Sequence, residues 1–222
     1  MAKNSITKPN TVTKAGPAGK GNRPTEEMII RSRVQLLLNH PFYGNLATRL
    51  KLVDGSGWVP TCATDGRHLY YNVDFFSKMT REEMDFVVGH EVLHCVYAHM
   101  DRRGSRDPRL WNCSGDYVIN LELVENRIGR MPTVVQGLYD TRFRGKFTEE
   151  IYDILKQEED DGKGDPDADS FDVHMNQDPD GKDGQNGNGD TSGLNGPIPL
   201  TKEERHAIKD EIKQAVMQAA KA

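Results

Sequence analysis

The feature that most constrains this chain is a long capped helix that carries polar residues in an apolar setting. Thr80 and Glu83 have the spacing of a capping box, so a helix is predicted to begin there. We expect it to run to about Arg102, with Gly104 as its stop. Most of its faces are apolar, through Phe86, Val87, Val88, Val92, Leu93 and Val96. A helix that is apolar on so many faces has to be buried.

The middle of this helix reads His90-Glu-Val-Leu-His94. Histidines four residues apart lie about 40° apart on a helix, one turn along, so both imidazoles can reach one metal ion. Glu91 lies about 100° round the helix, where it can take a proton from a metal-bound water as a general base. Burying two histidines and a glutamate is costly unless they have a partner. The motif therefore predicts a zinc site with Glu91 as catalytic residue, in preference to two hydrogen-bonded core histidines.

A third zinc ligand is predicted on the following helix, because catalytic zinc usually has three protein ligands and a water. Asp107-Pro108 is a typical helix start, and we expect this helix to end near residue 126. Asn112, Asp116 and Asn120 recur on one of its faces at intervals of four. We predict Asp116 as the third ligand, with Asn112 and Asn120 supporting the ligands through hydrogen bonds.

Other residues near the motif are weaker candidates. His99 is rejected as a ligand because, nine residues after His90 on a continuous helix, it would point to the opposite side. The weaker alternatives for the third ligand are Glu122, Glu125, Cys113 and His174. An oxyanion could be stabilised by Tyr117, Tyr139 or His174, and the sequence does not rank them.

The rest of the folded body mixes helices and strands. Residues 25–39 predict an amphipathic helix that stops at His40-Pro41, and residues 46–53 a strand. Residues 58–63 and 68–73 predict a hairpin turning at Asp65-Gly66. A third helix is expected from Thr148 to about residue 157. The predicted class is α+β, with a small antiparallel sheet packed on helices and the histidine helix at the centre.

Four regions are predicted along the chain: a disordered basic tail (1–23), a folded domain (24–157), an acidic linker rich in Gly and Asp (158–199) and a C-terminal helix (200–222). Thr201 and Glu204 form a capping box for the last helix. Its apolar stripe needs a partner surface, on the body or on another chain. The stripe consists of Ile208, Ile212, Ala215, Val216 and Ala219.

Charge and composition exclude several classes of function. The net charge is −5, with five basic and no acidic residues in 1–23, and twelve acidic residues and two lysines in 158–190. Nucleic-acid binding is not expected, since that would concentrate positive charge on a folded face. The chain lacks a run of apolar residues that would span a membrane and an apolar signal segment, so a membrane association is not expected. Three cysteines with apolar neighbours indicate reduced thiols, and we expect a cytoplasmic protein.

Several blocks together resemble a known family. They are residues 39–44, 63–66, 89–94, 102–104, 106–108, 111–112 and 116–120, with weaker matches at 171–174 and 214–220. Over residues 31–155 the chain is similar to the putative metallopeptidase domain of bacterial and phage proteins regarded as metal-dependent peptidases. In longer members a von Willebrand A-like domain follows. The resemblance implies a zincin-like fold with His90, His94 and Asp116 on zinc.

The predicted activity is hydrolysis of a peptide bond in a protein or peptide substrate, with one zinc ion per chain. In zincins an edge strand pairs with extended peptide, a role that 58–63 or 68–73 could take. The alternative is a non-catalytic scaffold in which zinc staples two helices and the chain docks an A-like domain or an AAA+ ATPase. A cysteine closing the fourth zinc position would favour the scaffold. A hydrolase acting on a non-peptide amide is a third reading, which the sequence does not separate from a peptidase.

Overall fold

A computed structural model describes residues 23–164 and 200–221. Within them the chain forms eight helices and three strands, which confirms the α+β class. The helices are α1 (Arg23–Asn39), α2 (Pro41–Ala47), α3 (Val73–Phe76), α4 (Arg81–Val96), α5 (His99–Arg102), α6 (Pro108–Glu125), α7 (Thr148–Asp160) and α8 (Lys202–Ala219). The strands are β1 (Lys51–Asp54), β2 (Cys62–Thr64) and β3 (His68–Tyr71). Most of the predicted basic tail and linker, and His174, lie outside the described residues.

The small sheet has the order β1-β3-β2. The predicted hairpin is confirmed, because β2 and β3 pair antiparallel. At its turn, Asp65 Oδ1 accepts the backbone N–H groups of Arg67 and His68 at 2.8 and 2.6 Å, and Gly66 has a φ of 86°, a conformation that favours glycine.

The expectation of a fully antiparallel sheet is wrong, because β1 pairs parallel with β3. The hairpin could be predicted because its turn residues are adjacent in the sequence. The strand that pairs with β1 is determined by the tertiary fold, which no local pattern marks. The predicted strand 46–53 is also wrong in its first part, since α2 runs to Ala47 and β1 begins at Lys51. Pro41 ends α1, as predicted, but it also begins α2, which is consistent with the preference of proline for a first helical turn.

Helix α4 is buried from Glu83 to Cys95. Its capping box is confirmed, since Glu83 Oε2 accepts the Thr80 N–H at 2.8 Å and Thr80 Oγ1 accepts the Glu83 N–H at 3.3 Å. It contacts helices α1, α2, α6 and α8 and strand β2. The zincin-like arrangement inferred from the resemblance stays a prediction.

The end of α4 differs from the prediction. The helix stops at Val96, six residues before the expected Arg102. Ala98 has φ 51° and ψ 40°, a left-handed conformation that separates α4 from α5. Alanine is the best helix former, so the sequence gives no signal for this break.

Glu83 also anchors the segment that follows α6. Its Oε1 accepts the N–H and the hydroxyl of Thr133 at 2.9 and 2.8 Å. Burial acts to raise the pKa of Glu83, but the hydrogen bonds from Thr80 and Thr133 outweigh it and lower the pKa to about 2. The start of α4 and the segment around Thr133 are thereby held together.

Helix α8 packs on α2 and α4. Its capping box is confirmed, with Thr201 Oγ1 accepting the Glu204 N–H at 3.1 Å. Ile208, Ala215 and Ala219 are buried. The body of the protein therefore supplies the partner surface that the apolar stripe requires. In the described parts of the chain, none of the helices has the length and apolarity needed to cross a membrane.

Candidate metal centre

Helices α4 and α6 bring three polar side chains to one buried point. His90 Nε2 and His94 Nε2 lie 2.7 Å apart. Asp116 Oδ1 of α6 lies 3.4 Å from the first and 3.5 Å from the second. All three residues are at most 1% exposed. The spacing of four along α4 thus places both imidazoles beside the carboxylate that faces them from α6.

The donor set suits zinc. Two imidazole nitrogens and one carboxylate oxygen lie within 4.8 Å of one another. Tetrahedral zinc, with bonds of 2.0–2.2 Å, holds its ligand atoms about 3.3 Å apart. The two distances to Asp116 match this value, and the two histidine nitrogens would need to separate by roughly 0.6 Å. In residues 23–164 and 200–221 no cysteine joins this group.

His90 has a hydrogen-bond partner behind it. Its Nδ1 lies 2.9 Å from Asn120 Oδ1, and Asn120 Nδ2 donates to the carbonyl oxygen of Leu138 at 2.9 Å. Because the amide nitrogen of Asn120 is committed to Leu138, its oxygen faces His90 and accepts the Nδ1 proton. His90 therefore presents Nε2 towards Asp116. Asn112 makes no comparable contact: its Oδ1 is buried and has no hydrogen-bond partner among the described residues, so its supporting role stays a prediction.

His94 has a different partner, His99. The two Nδ1 atoms lie 3.0 Å apart, and His99 Nε2 lies 2.9 Å from Thr148 Oγ1 at the start of α7. The expectation that His99 points away from the site is wrong. The reason is the helix break at Ala98, which turns the chain so that His99 lies beside His94. The sequence analysis missed this contact because it assumed one continuous helix.

Glu91 contacts a thiol. Cys62 of β2 donates its S–H to Glu91 Oε1 at 3.0 Å, and both residues are fully buried. The sequence analysis did not assign Cys62 to the site, because the packing of β2 against α4 is not encoded in any local pattern. Cys62, Cys95 and Cys113 are buried thiols that form no disulfide. Burial raises the pKa of Cys95 to about 12, so this thiol stays protonated.

Comparison with known families bears on this geometry. The model of a family described as putative metallopeptidase domain matches residues 25–222. The chain belongs to this family. The suspected resemblance is therefore confirmed, and the match extends beyond residues 31–155 to include α8. No curated protein and no solved structure matches the chain.

The candidate metal centre is enclosed. His90, Glu91, His94 and Asp116 are each at most 1% exposed. A cavity lies between α4 and α8, but its lining includes none of these four residues. These four side chains are therefore shielded from solvent in this structure.

Of the weaker ligand candidates, Glu122, Glu125 and Cys113 do not join the group, and His174 lies outside the described residues. Glu122 accepts the hydroxyl of Tyr43 at 3.0 Å and that of Tyr97. Glu125 forms an ion pair with Arg144. Cys113 is buried and also stands outside the group of two histidines and Asp116.

The oxyanion candidates also differ in their surroundings. The ring of Tyr117 packs against Phe143 at 4.8 Å between centroids. Tyr139 is 42% exposed. Neither position singles out one of them as the residue that stabilises an oxyanion.

Proposed function

We propose that this chain is a zinc-dependent peptidase, with His90, His94 and Asp116 as zinc ligands and Glu91 as general base. The observation that carries the proposal is the buried group of two Nε2 atoms and a carboxylate oxygen, with Glu91 next to His90 on the same helix. The membership of the chain in the putative metallopeptidase family supports it. The choice of zinc rests on the donor set, since mixed imidazole and carboxylate ligands with an open position are typical of catalytic zinc.

A bound zinc ion would polarise the scissile carbonyl and acidify the attacking water. Glu91 would accept a proton from the attacking water while the water oxygen forms a bond to the carbonyl carbon. Glu91 then returns the proton to the leaving nitrogen as the C–N bond breaks. Cys62 holds one carboxylate oxygen of Glu91 during these steps, while Asn120 and His99 hold the Nδ1 sides of the two histidines.

The substrate is proposed to be a protein or peptide in extended form. Strand β2 is an edge of the sheet, and it carries Cys62, the partner of Glu91. A peptide added along β2 would pass close to the general base. Strand β3 is paired on both sides, so the alternative that residues 68–73 bind the peptide is wrong. Because Cys62–Thr64 are buried, binding along β2 requires the covering segments to open.

The test compares wild type with two variants, Glu91→Gln and Asp116→Ala. Glutamine keeps the shape of Glu91 and an oxygen that accepts the Cys62 thiol, but it cannot take a proton. We expect Glu91→Gln to keep zinc and to lose about 10²- to 10⁴-fold in hydrolysis. Asp116→Ala is the matched variant that should bind zinc about 10-fold or more weakly. Zinc is counted by elemental analysis, and hydrolysis of a mixed peptide library is followed by mass spectrometry.

Each variant has an outcome that contradicts the proposal. Full activity of Glu91→Gln would exclude Glu91 as the base. Unchanged zinc affinity of Asp116→Ala would exclude Asp116 as a ligand. Cleavage of acylated amines but not of peptides would assign the site to a different amide bond.

The second candidate is a non-catalytic scaffold that docks an A-like domain or an AAA+ ATPase. The observation that favours it is the enclosure of the centre, at most 1% exposed. Glu91 argues against it, since a structural zinc has no need of a general base. Wild type that binds one zinc per chain but cleaves no peptide or amide would favour the scaffold.

A further inference from the structure

Three separate parts of the chain are adapted to the position of His99. The left-handed Ala98 turns the chain between α4 and α5, in a conformation that is sterically unfavourable for a residue with a Cβ. Gly115 of α6 leaves room for the ring, since a Cβ there would lie 2.8 Å from His99 Nδ1. Thr148, at the start of α7, contacts Nε2 on the far side of the ring. A buried histidine that only filled space would not need all three.

The hydrogen bonds define the tautomers of the histidine pair. If His94 uses Nε2 to bind a metal, its proton must sit on Nδ1. The atom that faces this proton at 3.0 Å is His99 Nδ1, which accepts only when it carries no hydrogen. His99 then has its proton on Nε2, where the Thr148 hydroxyl oxygen accepts it at 2.9 Å. Every group in the row from Thr148 to His94 is satisfied in this one arrangement.

We infer that His99 is a positioning residue that holds His94 in the tautomer and orientation that present Nε2 to the metal. It does for His94 what Asn120 does for His90. The inference rests on the proposed function, since it takes His94 as a ligand. It adds a role for α7, whose first residue, Thr148, accepts the Nε2 proton of His99.

A purely structural role for the His99 side chain makes different predictions. The backbone carbonyl of His99 accepts the indole N–H of Trp111 at 2.9 Å, and this bond does not depend on the side chain. The ring of His99 also stacks on Tyr97, with centroids 5.5 Å apart and planes at 25°. A packing role would depend on ring volume alone, whereas the positioning role depends on an acceptor at the place of Nδ1.

The experiment uses the full chain and compares His99→Asn, His99→Gln and His99→Leu. Asparagine puts its Oδ1 where His99 has Nδ1, so it keeps the acceptor for His94 and loses the contact with Thr148. Glutamine reaches towards Thr148 but leaves the Nδ1 position without an acceptor, and leucine provides neither. Zinc affinity is measured by competition with a chromophoric chelator, and the melting temperature of each zinc-free variant reports its stability.

We expect His99→Leu and His99→Gln to bind zinc about 10- to 100-fold more weakly than wild type, with His99→Asn close to wild type. Gly115→Ala keeps every hydrogen-bonding group but displaces the ring, and should weaken zinc binding in the same direction. If His99→Leu fails to fold, the comparison of Asn with Gln decides.

Two results would overturn the inference alone while the zinc site stands. One is wild-type zinc affinity in both His99→Leu and His99→Gln. The other is equal weakening in the Asn and Gln variants, which would show that the acceptor is not what matters. Wild type that binds no zinc would overturn the proposed function as well.

Discussion

The side chain that holds Glu91 is a thiol, which is a weak hydrogen-bond donor. Cys62 reaches Glu91 Oε1 at 3.0 Å from β2, across the interface between the sheet and α4. A weak donor fixes the direction of the carboxylate without stabilising its charge as strongly as a hydroxyl or an amide would. This arrangement suits a carboxylate that has to accept a proton during the reaction.

Replacing Cys62 tests this role. Cys62→Ala should lower kcat about 2- to 10-fold by removing one hydrogen bond, with the zinc content unchanged. Cys62→Ser keeps a donor and should retain more activity than Cys62→Ala. Cys113→Ala, a buried thiol outside the metal group, is the matched control and should keep wild-type kcat. Equal losses of kcat in Cys62→Ala and Cys113→Ala would show that the loss comes from changed packing and not from the hydrogen bond to Glu91.

At this scale the sequence predicted the residues that share one helix better than those that meet across the fold. His90, Glu91 and His94 follow from the period of a helix, and Asp116 from a polar stripe on the next one. Their ligand and catalytic roles stay predictions. Cys62 and His99 come to the centre through the packing of β2 and the turn at Ala98. Neither contact has a local pattern that marks it.

The elements show the same contrast between starts and ends. The starts of α4, α6 and α8 are marked by Thr80, Asp107 and Thr201, whose side chains each accept a backbone N–H of the first turn. The end of α4 has no such side chain. The helix ends through the left-handed backbone conformation of Ala98. In the sheet, the hairpin turn was predictable and the parallel partner of β1 was not.

The helix break provides a stability test. Ala98→Gly should stabilise the protein by up to about 1 kcal/mol, because glycine adopts the left-handed conformation without the steric cost of a Cβ. Ala207→Gly, at an exposed position inside α8, is the same substitution in a right-handed helix and should destabilise by about 1 kcal/mol. Urea denaturation measures both. Destabilisation by Ala98→Gly as large as that by Ala207→Gly would contradict the left-handed assignment.

For the molecule as a whole, α8 is part of the folded unit. It contacts α2 and α4, and it buries Ile208, Ala215 and Ala219. The fit is close at the hairpin, since a Cβ on Gly66 would lie 2.9 Å from side-chain atoms of Ile208 and Ile212. The sequence predicted the apolar stripe of α8 and left its partner open, because amphipathicity shows that a face is buried but not against what.

Detaching α8 is the corresponding test. Ile208→Asp puts a charge at a position that is 3% exposed and should release α8, since a buried unpaired charge is costly. Met217→Asp, at 58% exposure on the same helix, should leave α8 in place. Hydrogen exchange of the α8 amides and proteolytic release of the C-terminal segment separate the two. Protection of α8 in Ile208→Asp equal to that in Met217→Asp would contradict the packing.

The enclosure of the candidate metal centre also affects how fast a bound ion would exchange. His90, His94 and Asp116 are closed to solvent. We therefore expect an ion bound to them to leave only when the surrounding segments move, even in the presence of a strong chelator. The residence time of a bound ion would then depend on how often these segments open, as well as on the strength of its bonds. We therefore expect a chain that has bound zinc to lose it slowly to chelators.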